Sequence, residues 1–214
     1  MSRPSLAELT VRDLTQRLAS SAPVPGGGSA SALSGALAAA LVEMVCELTV
    51  GRPEYEDVDP VARQIGAAAG ELRGSLLAAA EEDAAAYLDV VAARGLPRDT
   101  DDEKATRRGA IGEASVAATD VPLRVARLAA EVLDLAAGIA PIGNRNAASD
   151  AGVAALLAAA GARGAALNVT INLPSLPEGH ALRADATARL AELDARVSRR
   201  EAETIAAVNQ RMSR

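Results

Sequence analysis

The chain has no phenylalanine and no tryptophan, and this absence restricts how it can build a hydrophobic core. Half of its 214 residues are hydrophobic, yet Tyr55 and Tyr87 are the only aromatic ones. The core must therefore consist of Ala, Leu, Val and Ile. Ala and Leu favour helices, whereas aromatic and β-branched residues favour strands. We expect an all-α fold, a multihelical bundle of long antiparallel helices whose small side chains allow close approach.

Charge and cysteine content exclude several classes of protein. The net charge is −6 and the pI is near 5.0, which argues against a nucleic-acid binder because phosphate contacts require clustered Lys and Arg. A single cysteine, Cys46, excludes an internal disulfide framework and a Cys-rich zinc site. The most apolar run, 151–162, is shorter than the roughly 18–20 residues that cross a bilayer. The amphipathic N-terminus has no apolar signal core. We expect a soluble cytoplasmic protein without a membrane partner.

Apolar residues recur at helical spacing along most of the chain. They predict six helices, at about 6–18, 29–50, 61–93, 100–140, 149–171 and 182–212. Thr100 and Glu103 form a capping-box pattern at the start of the fourth helix. Pro122 should either kink that helix or divide it. Since no internal repeat or linker is evident, we expect one domain over residues 1–214.

Asp83 is the most informative single residue. At about 100° per residue, it lies on the same helix face as the apolar residues Leu72, Leu76 and Val90 and as Tyr87. Burying a carboxylate without partners is costly, so such a residue usually has a specific role. The role is either chemical or structural, and in the structural case Asp83 pairs with an arginine or caps a neighbouring helix.

Lys104 presents a weaker signal. It shares a helix face with Ile111 and lies near Arg107 and Arg108 in a strongly charged first turn. A lysine there is usually solvated. It also opposes the helix dipole, which weakly favours a functional reason for its presence.

Polar residues cluster before and within the predicted fifth helix. Asn144, Asn146, Ser149 and Asp150 precede or begin it, and Asn168 and Asn172 share one face near its far end. A helix N-terminus can present free N–H groups to a ligand, although turn and cap chemistry also explains the first group. Ser149 and Asn172 are about 30 Å apart on an unbroken helix. One small ligand can contact both groups only if a second chain contributes, which predicts a homodimer.

The segment Pro25-Gly26-Gly27-Gly28-Ser29 joins a loop to a helix. It lacks the Lys-Ser/Thr of a phosphate-binding P-loop and does not follow a strand. It is either a plain turn or a place where the backbone approaches a flat or anionic ligand at a helix N-terminus. The single histidine, His180, is expected to be exposed and without a role, and no His/Asp/Glu group has metal-ligand spacing.

Seven segments occur in a fixed order between about Ala7 and Leu176: SSAPVPGGGSASALSGALAAALVEMV, LTVGRPEY, EEDAAAYLDV, GLPRDTDDEKATRR, TDVPLRVARLAAEVLDLA, GNRNAASDAGVAALLAAA and GAALNVTINL. In this order they resemble the formimidoyltetrahydrofolate cyclodeaminase/methenyltetrahydrofolate cyclohydrolase family. The Pro-x-Pro-Gly-Gly-Gly segment and the Gly-Asn-x-Asn-x-x-Ser-Asp segment are specific only in combination.

The resemblance implies a multihelical dimer that acts on a reduced folate, without a metal or other cofactor. In the cyclodeaminase reaction, N10 attacks the formimino carbon on N5 and ammonia leaves to give 5,10-methenyltetrahydrofolate. In the cyclohydrolase reaction, water attacks the methenyl carbon and the ring opens to 10-formyltetrahydrofolate. Both reactions need a base and an acid. The residues do not distinguish between the two reactions, and we slightly favour the cyclodeaminase reaction.

The same resemblance suggests roles for the residues singled out above. Asp83 would transfer protons and Lys104 would stabilise charge or assist. Asp150, with Asn144 and Asn146, would bind the pterin. The remaining contacts would come from the glycine segment, against the ring or the glutamate tail, and from Arg52, Ser149, Asn168 and Asn172.

One departure and one alternative complete these expectations. Related sequences read Gly-Lys-Lys-x-Tyr where this chain has Arg52-Pro53-Glu54-Tyr55 after a glycine. If the missing lysine contacts substrate, activity or polyglutamate affinity differs here. A helical dimer that serves only in assembly or regulation is the alternative from another class, and Asp83 on an apolar face argues against it.

Overall fold

The computed structural model describes residues 5–213, and within this range the chain is helical without a strand, as predicted. The α-helices are α1 (Val11–Leu18), α2 (Gly27–Glu47), α3 (Asp59–Arg94), α4 (Asp101–Ile139), α5 (Ala148–Asn172) and α6 (Ala181–Met212). Short 3₁₀ turns cover Leu6–Glu8, Pro53–Val58, Arg145–Ala147 and Leu173–Ser175. The last five helices agree with the predicted ranges to within a few residues at each end.

The first predicted helix is wrong, because residues 6–18 form two elements. The 3₁₀ turn Leu6–Glu8 has its own capping box between Ser5 and Glu8. The backbone is then extended at Leu9 (φ −72°, ψ 145°), and Thr10 caps α1 by accepting from the Asp13 N–H. The patterns Ser-x-x-Glu and Thr-x-x-Asp are helix-start signals, and both are present in the sequence.

Helix α4 runs without interruption through Pro122, so the alternative in which proline divides it is excluded. The predicted capping box is present: the Thr100 hydroxyl accepts from the Glu103 N–H, and the Glu103 side chain accepts from the Thr100 N–H. Pro122 is buried among the apolar residues of the helix. Tertiary packing therefore holds the helix together across a residue that cannot donate a backbone hydrogen bond.

The core is built from small side chains, as the composition predicts. Helices α2, α3, α4 and α5 pack together, and α6 covers α4 and α5. At the closest approach of α2 and α5, a Cβ on Gly161 would lie 2.8 Å from the Ser31 carbonyl oxygen and 3.1 Å from the Gly35 nitrogen. Only glycine permits this backbone contact without a shift.

His180 has a structural role, so the expectation that it is exposed and without a role is wrong. It is half-buried and is the N-cap of α6, where its Nδ1 accepts from the Leu182 N–H at 3.3 Å. Histidine is not among the preferred cap residues. This N-cap could therefore not be predicted from residue type.

Cys46 is buried in the core, with 1% of its surface exposed. Burial in apolar surroundings, with Glu47 and Glu43 adding to the effect, raises the pKa of its thiol to about 12. Because the thiolate is the reactive form, this cysteine is chemically inert at neutral pH.

Helices α2 and α5 share an exposed apolar surface, which we call the α2/α5 face. Its residues are Leu37 (60% exposed), Met44 (38%) and Leu48 (38%) on α2, and Val153 (46%), Leu156 (51%), Leu167 (72%) and Ile171 (75%) on α5. By length and composition alone, α2 and the segment Arg145–Ser175 could cross a bilayer, with mean hydropathy 1.6 and 1.4, although 56% and 50% of these windows are buried. These two helices form the centre of the core and also present an exposed apolar surface, a feature typical of interaction sites.

Candidate functional site

Asp83 lies against the first turn of α2. The N-cap of this helix is Gly26, which has no side chain to accept from the free N–H groups. Instead, Asp83 Oδ2 accepts from the Ser29 hydroxyl at 2.9 Å, and the Ser29 backbone N–H also bonds to the carboxylate. Asp83 thus caps a neighbouring helix, which was one of the two structural alternatives. It forms no ion pair within residues 5–213.

Gly28 is the residue that makes this contact possible. A Cβ on Gly28 would lie 2.5 Å from Asp83 Cγ and 2.7 Å from Oδ2, distances that real Cβ atoms do not show. A Cβ on Gly27 would meet Asn168 at 3.5 Å, and one on Gly26 would meet nothing within 4 Å. The hypothesis that the three glycines admit a ligand needs correction: Gly28 admits Asp83, Gly27 adjoins Asn168, and only Gly26 adjoins open space.

The surroundings of Asp83 favour its protonated form. Burial is the largest influence and raises the pKa of its carboxyl group, while the side-chain and backbone hydrogen bonds from Ser29 act in the opposite direction. The two neighbouring carboxylates are engaged elsewhere: Glu81 accepts from the Ser5 hydroxyl, and Glu82 pairs with Arg124. A half-buried carboxyl group with a raised pKa is better suited to proton transfer than a solvated one.

The apolar stripe around Asp83 is only partly as predicted. Leu76 and Val90 are buried and Leu72 is half-buried, but Tyr87 is 41% exposed. The face is therefore buried at Leu76 and Val90 but exposed at Tyr87.

A cleft of about 180 Å³ adjoins this region, although Asp83 does not line it. Pro25 and Ala84 form part of its wall, and the charged residues Arg17 and Glu81 contribute its polar groups. Arg17 was not singled out in the sequence, because a lone arginine on a short amphipathic helix looks like a solvated residue. The cleft supplies a cation within the region of the glycine segment.

Two residues predicted to bind substrate are engaged within the fold. Ser29 is 0% exposed, so it cannot contact a ligand directly. Asn172 donates from Nδ2 to the Ala118 carbonyl at 2.6 Å. Ala118 is four residues before Pro122, whose missing N–H leaves that carbonyl free. Asn172 therefore repairs the hydrogen-bond ladder of α4, and its prediction as a substrate contact needs correction.

Asn172→Ala should lower the free energy of unfolding by about 1–3 kcal/mol, because it leaves the Ala118 carbonyl buried without a donor. In a Pro122→Ala background the new N–H can bond to Ala118, so the same Asn172 change should cost much less. Urea unfolding of the four chains in a double-mutant cycle measures the coupling. An equal cost of Asn172→Ala in both backgrounds would contradict this account.

The second polar cluster lies at the other end of α5. Asn144 is buried: its N–H donates to Thr49 Oγ1 at 2.8 Å, its Nδ2 donates to the Leu48 carbonyl at 2.7 Å, and its Oδ1 accepts from the Asn146 N–H at 2.9 Å. Its amide is thus used to fix the loop. The prediction that Asn144 complements a pterin carbonyl is not compatible with this geometry.

The rest of this cluster is accessible. Arg52, Asn146 and Ser149 are exposed and Asp150 is half-buried, and no side chain caps the N-terminus of α5. Tyr55, which sequence reasoning passed over, accepts from the Arg145 N–H at 3.0 Å and joins the two loops. These residues remain suited to bind a polar ring or an anion.

The two clusters do not meet within one chain. Asn168, beside the glycine segment, lies 19 residues after Ser149 on the unbroken helix α5, which corresponds to about 28 Å. Lys104 lies apart from both. It is 53% exposed, pairs with Asp101 at 2.9 Å, and is about 30 Å along α4 from Arg124, which contacts Glu82 beside Asp83. If Lys104 and Asp83 act together, as the sequence predicts, they must come from different chains.

Residues 5–213 contain no group of three or more His, Cys, Asp or Glu side chains arranged to hold a metal ion. The candidate site consists of two parts. One is Asp83 with the glycine segment and Asn168. The other is the loop cluster before and within the first turn of α5.

Comparisons with known proteins agree with this architecture. The model of a family described as formiminotransferase-cyclodeaminase matches residues 10–192. A methenyltetrahydrofolate cyclohydrolase from Methylorubrum extorquens is 48% identical over 185 residues, which are 86% of this chain and 87% of that protein.

A formimidoyltransferase-cyclodeaminase from Rattus norvegicus is 31% identical over 81% of this chain, which spans only 32% of that longer protein. The crystal structure of a formiminotetrahydrofolate cyclodeaminase from Thermotoga maritima superposes with a TM-score of 0.85 at 28% identity, covering 96% of this chain and 98% of that one. Sequence and fold thus lead to the same group of proteins.

Proposed function

The chain belongs to the formiminotransferase-cyclodeaminase family, and from this premise we propose that it hydrolyses 5,10-methenyltetrahydrofolate to 10-formyltetrahydrofolate. The observation that carries the proposal is Asp83, a half-buried carboxyl group of α3 that lies against the first turn of α2 and has no ion-pair partner among residues 5–213. Asp83 also caps α2, so the assay and the Asp83 variant described below distinguish a chemical role from a purely structural one.

The choice of reaction rests on similarity, because the site suits both reactions. The relative named as a cyclohydrolase shares 48% identity over nearly its whole length. We therefore favour cyclohydrolase activity over cyclodeaminase activity, although the sequence alone slightly favours the cyclodeaminase. Cyclodeaminase activity is the second candidate, favoured by the superposition on the Thermotoga maritima enzyme over 98% of its chain.

In the proposed hydrolysis, ionised Asp83 accepts a proton from the water that attacks the methenyl carbon. The C–O bond forms first. The bond from this carbon to N5 then breaks, and protonated Asp83 returns its proton to N5. The second proton of the water is released as the carbonyl of the 10-formyl group forms. Burial raises the pKa of Asp83 and so reduces the difference in free energy between its ionised and protonated forms at neutral pH. The carboxyl group can therefore both accept and donate a proton.

In the cyclodeaminase reaction, Asp83 would serve the same two steps with different atoms. It would accept the proton of N10 as this nitrogen attacks the formimino carbon. It would then deliver that proton to the nitrogen of the formimino group, which enters the reaction protonated as –CH=NH2+, so that the nitrogen departs as ammonia and the methenyl cation remains. Both reactions therefore depend on one proton-transfer group beside a bound pterin.

We further propose that the working form is a homodimer joined through the α2/α5 face. This face extends along both helices and ends near both polar clusters, which are about 28 Å apart in one chain. A second copy related by a two-fold axis, with its helices reversed along this face, would place its loop cluster opposite Asp83. Two-fold interfaces are self-complementary and the commonest in oligomers. The predicted roles of Asp150, Asn146 and Ser149 require such an arrangement.

A spectroscopic assay of methenyltetrahydrofolate tests the reaction. The purified chain is given the methenyl and the formimino folates in separate experiments, and formation or loss of the methenyl compound is followed. Loss of the methenyl compound at a rate above the buffer control is the result expected. Formation from the formimino compound alone would assign the cyclodeaminase instead, and no turnover of either would refute the proposed function.

Leu167→Glu should convert the dimer to a monomer, because it places a charge within the α2/α5 face, where Leu167 is 72% exposed in one chain. Light scattering coupled to gel filtration measures the mass. Val11→Glu is the matched control, since Val11 is 79% exposed on α1, outside this face. A wild-type chain that is monomeric and active would refute the dimer, and flotation of the wild type with lipid vesicles would assign the face to a membrane.

A further inference from the structure

The hydroxyl group of Ser29 has two acceptors but only one proton. Its Oγ lies 2.9 Å from Asp83 Oδ2 and 3.1 Å from the Ala80 carbonyl oxygen. Both distances are within the range of a hydrogen bond. Ser29 itself is 0% exposed, so water does not compete for the hydroxyl.

The two acceptors correspond to the two protonation states of Asp83. When Asp83 is ionised, it can only accept, and the hydroxyl donates to it. When Asp83 carries a proton on Oδ2, this proton can be donated to Ser29 Oγ, whose own proton then turns to the Ala80 carbonyl. No heavy atom has to move between the two arrangements, because all three oxygens already have hydrogen-bond spacing.

We propose that Ser29 is a positioning residue that acts through Asp83, with its hydroxyl alternating between Asp83 and the Ala80 carbonyl as Asp83 loses and gains the proton of the reaction. The inference rests on the proposed function for the identity of the reaction, but not for the coupling itself. It replaces the earlier hypothesis that Ser29 contacts substrate.

Among residues 5–213, no other group in this region accounts for the same coupling. On α3, Glu81 bonds to the N-terminal segment and Glu82 pairs with Arg124 of α4, so both are engaged elsewhere. Tyr87 is exposed on the same helix, and Arg17 of α1 lines the neighbouring cleft. From α5 the nearest polar side chain is the uncharged Asn168, whose amide donates to the Gly164 carbonyl.

Ser29→Ala should therefore raise the pKa of Asp83. A hydrogen bond to an ionised acceptor is roughly twice as strong as one between neutral groups, so the ionised state loses more when the hydroxyl is removed. The acid limb of the kcat/KM profile should move to higher pH, so that kcat/KM measured on that limb should fall by about tenfold while the plateau above it changes little. KM for the folate should stay within about twofold, since Ser29 does not contact it.

The test combines this profile with a measurement that does not require turnover. The carboxyl stretch of protonated Asp83, identified as the infrared difference between wild type and Asp83→Asn, is titrated in wild type, Ser29→Ala and Ser29→Thr. The threonine keeps the hydroxyl and should restore the wild-type titration and the wild-type acid limb. If the alanine chain does not fold, Ser29→Cys keeps the volume with a weaker donor and should give an intermediate shift.

Ser31→Ala is the matched control. Ser31 is 8% exposed in the same part of α2, but its hydroxyl donates to the Gly27 carbonyl at 2.7 Å and not to Asp83. Its titration should match that of the wild type. Coincident infrared titrations of Ser29→Ala and wild type would overturn the inference. A shifted titration in a chain that turns over neither folate would instead refute the proposed function and leave the coupling standing.

Discussion

Asp83→Asn is expected to lower kcat by about 10²- to 10⁴-fold, the usual contribution of a general acid–base group. Asparagine has nearly the same shape, and its oxygen can still accept from the Ser29 hydroxyl that bonds to Asp83. The start of α2 should therefore keep its cap. Turnover of methenyltetrahydrofolate, measured spectroscopically, gives kcat, and circular dichroism checks the helical content.

Asp89→Asn is the appropriate control for this change. Asp89 is an exposed aspartate on the same helix, six residues beyond Asp83. It should retain wild-type turnover. If Asp83→Asn kept full activity while Asp89→Asn behaved in the same way, Asp83 would be only a helix cap, and the proton-transfer mechanism would be refuted.

The direction of the pKa shift gives Asp83→Asn a second signature. Burial raises the pKa of Asp83 above its value in the unfolded chain. The contribution of this group to stability is therefore fully present below the unfolded pKa and is lost as pH rises through the folded pKa. Relative to Asp83→Asn, the wild type should gain stability on acidification through that interval. Urea unfolding of both chains across the acidic range measures the difference.

Gly28→Ala is expected to lower both stability and activity, although alanine normally favours a helix by about 1 kcal/mol over glycine. The new Cβ would lie 2.5 Å from Asp83 Cγ, so the carboxyl group or the first turn of α2 must move. We expect a loss of about 1–3 kcal/mol in the free energy of unfolding, the usual cost of overpacking. Displacement of Asp83 should also reduce kcat by at least about tenfold.

Gly74→Ala provides the opposite expectation within the same protein. Gly74 is exposed in α3, and a Cβ there would meet nothing within 4 Å. Alanine at that position should stabilise the chain by about 0.5–1 kcal/mol. Urea unfolding and turnover are measured for both variants. A Gly28→Ala chain as stable and active as Gly74→Ala would show that the tight contact with Asp83 does not exist in solution.

The helices and their order could be predicted because they depend on local patterns. Alanine and leucine set the class, and the Thr100 capping box marked the start of α4 to within one residue. The unusual position of Asp83 was also visible, because helical spacing alone places it among apolar residues. The break at Leu9 was also predictable, because Thr10 and Asp13 form a helix-start pattern directly after it.

The contacts between elements could not be predicted. Nothing near Gly28 in the sequence indicates that a carboxylate 55 residues away occupies the place of its missing Cβ. Likewise, nothing in the sequence links Asn172 to Pro122. Asn172 nevertheless donates to the Ala118 carbonyl the hydrogen bond that Pro122 cannot donate. Asn144 resembled a ligand-binding residue for the same reason, since its three partners come from its own loop and from the turn that follows α2.

The burial of Cys46 also has a practical consequence. The sequence contains one cysteine, and its thiol is both enclosed and fully protonated at neutral pH. A maleimide dye or spin label would leave it unmodified. An engineered surface thiol, for example in place of Val11 on α1, outside the α2/α5 face, would then be the sole point of attachment without prior removal of the native one. Distances between two identical labels would give the geometry of an assembled pair directly.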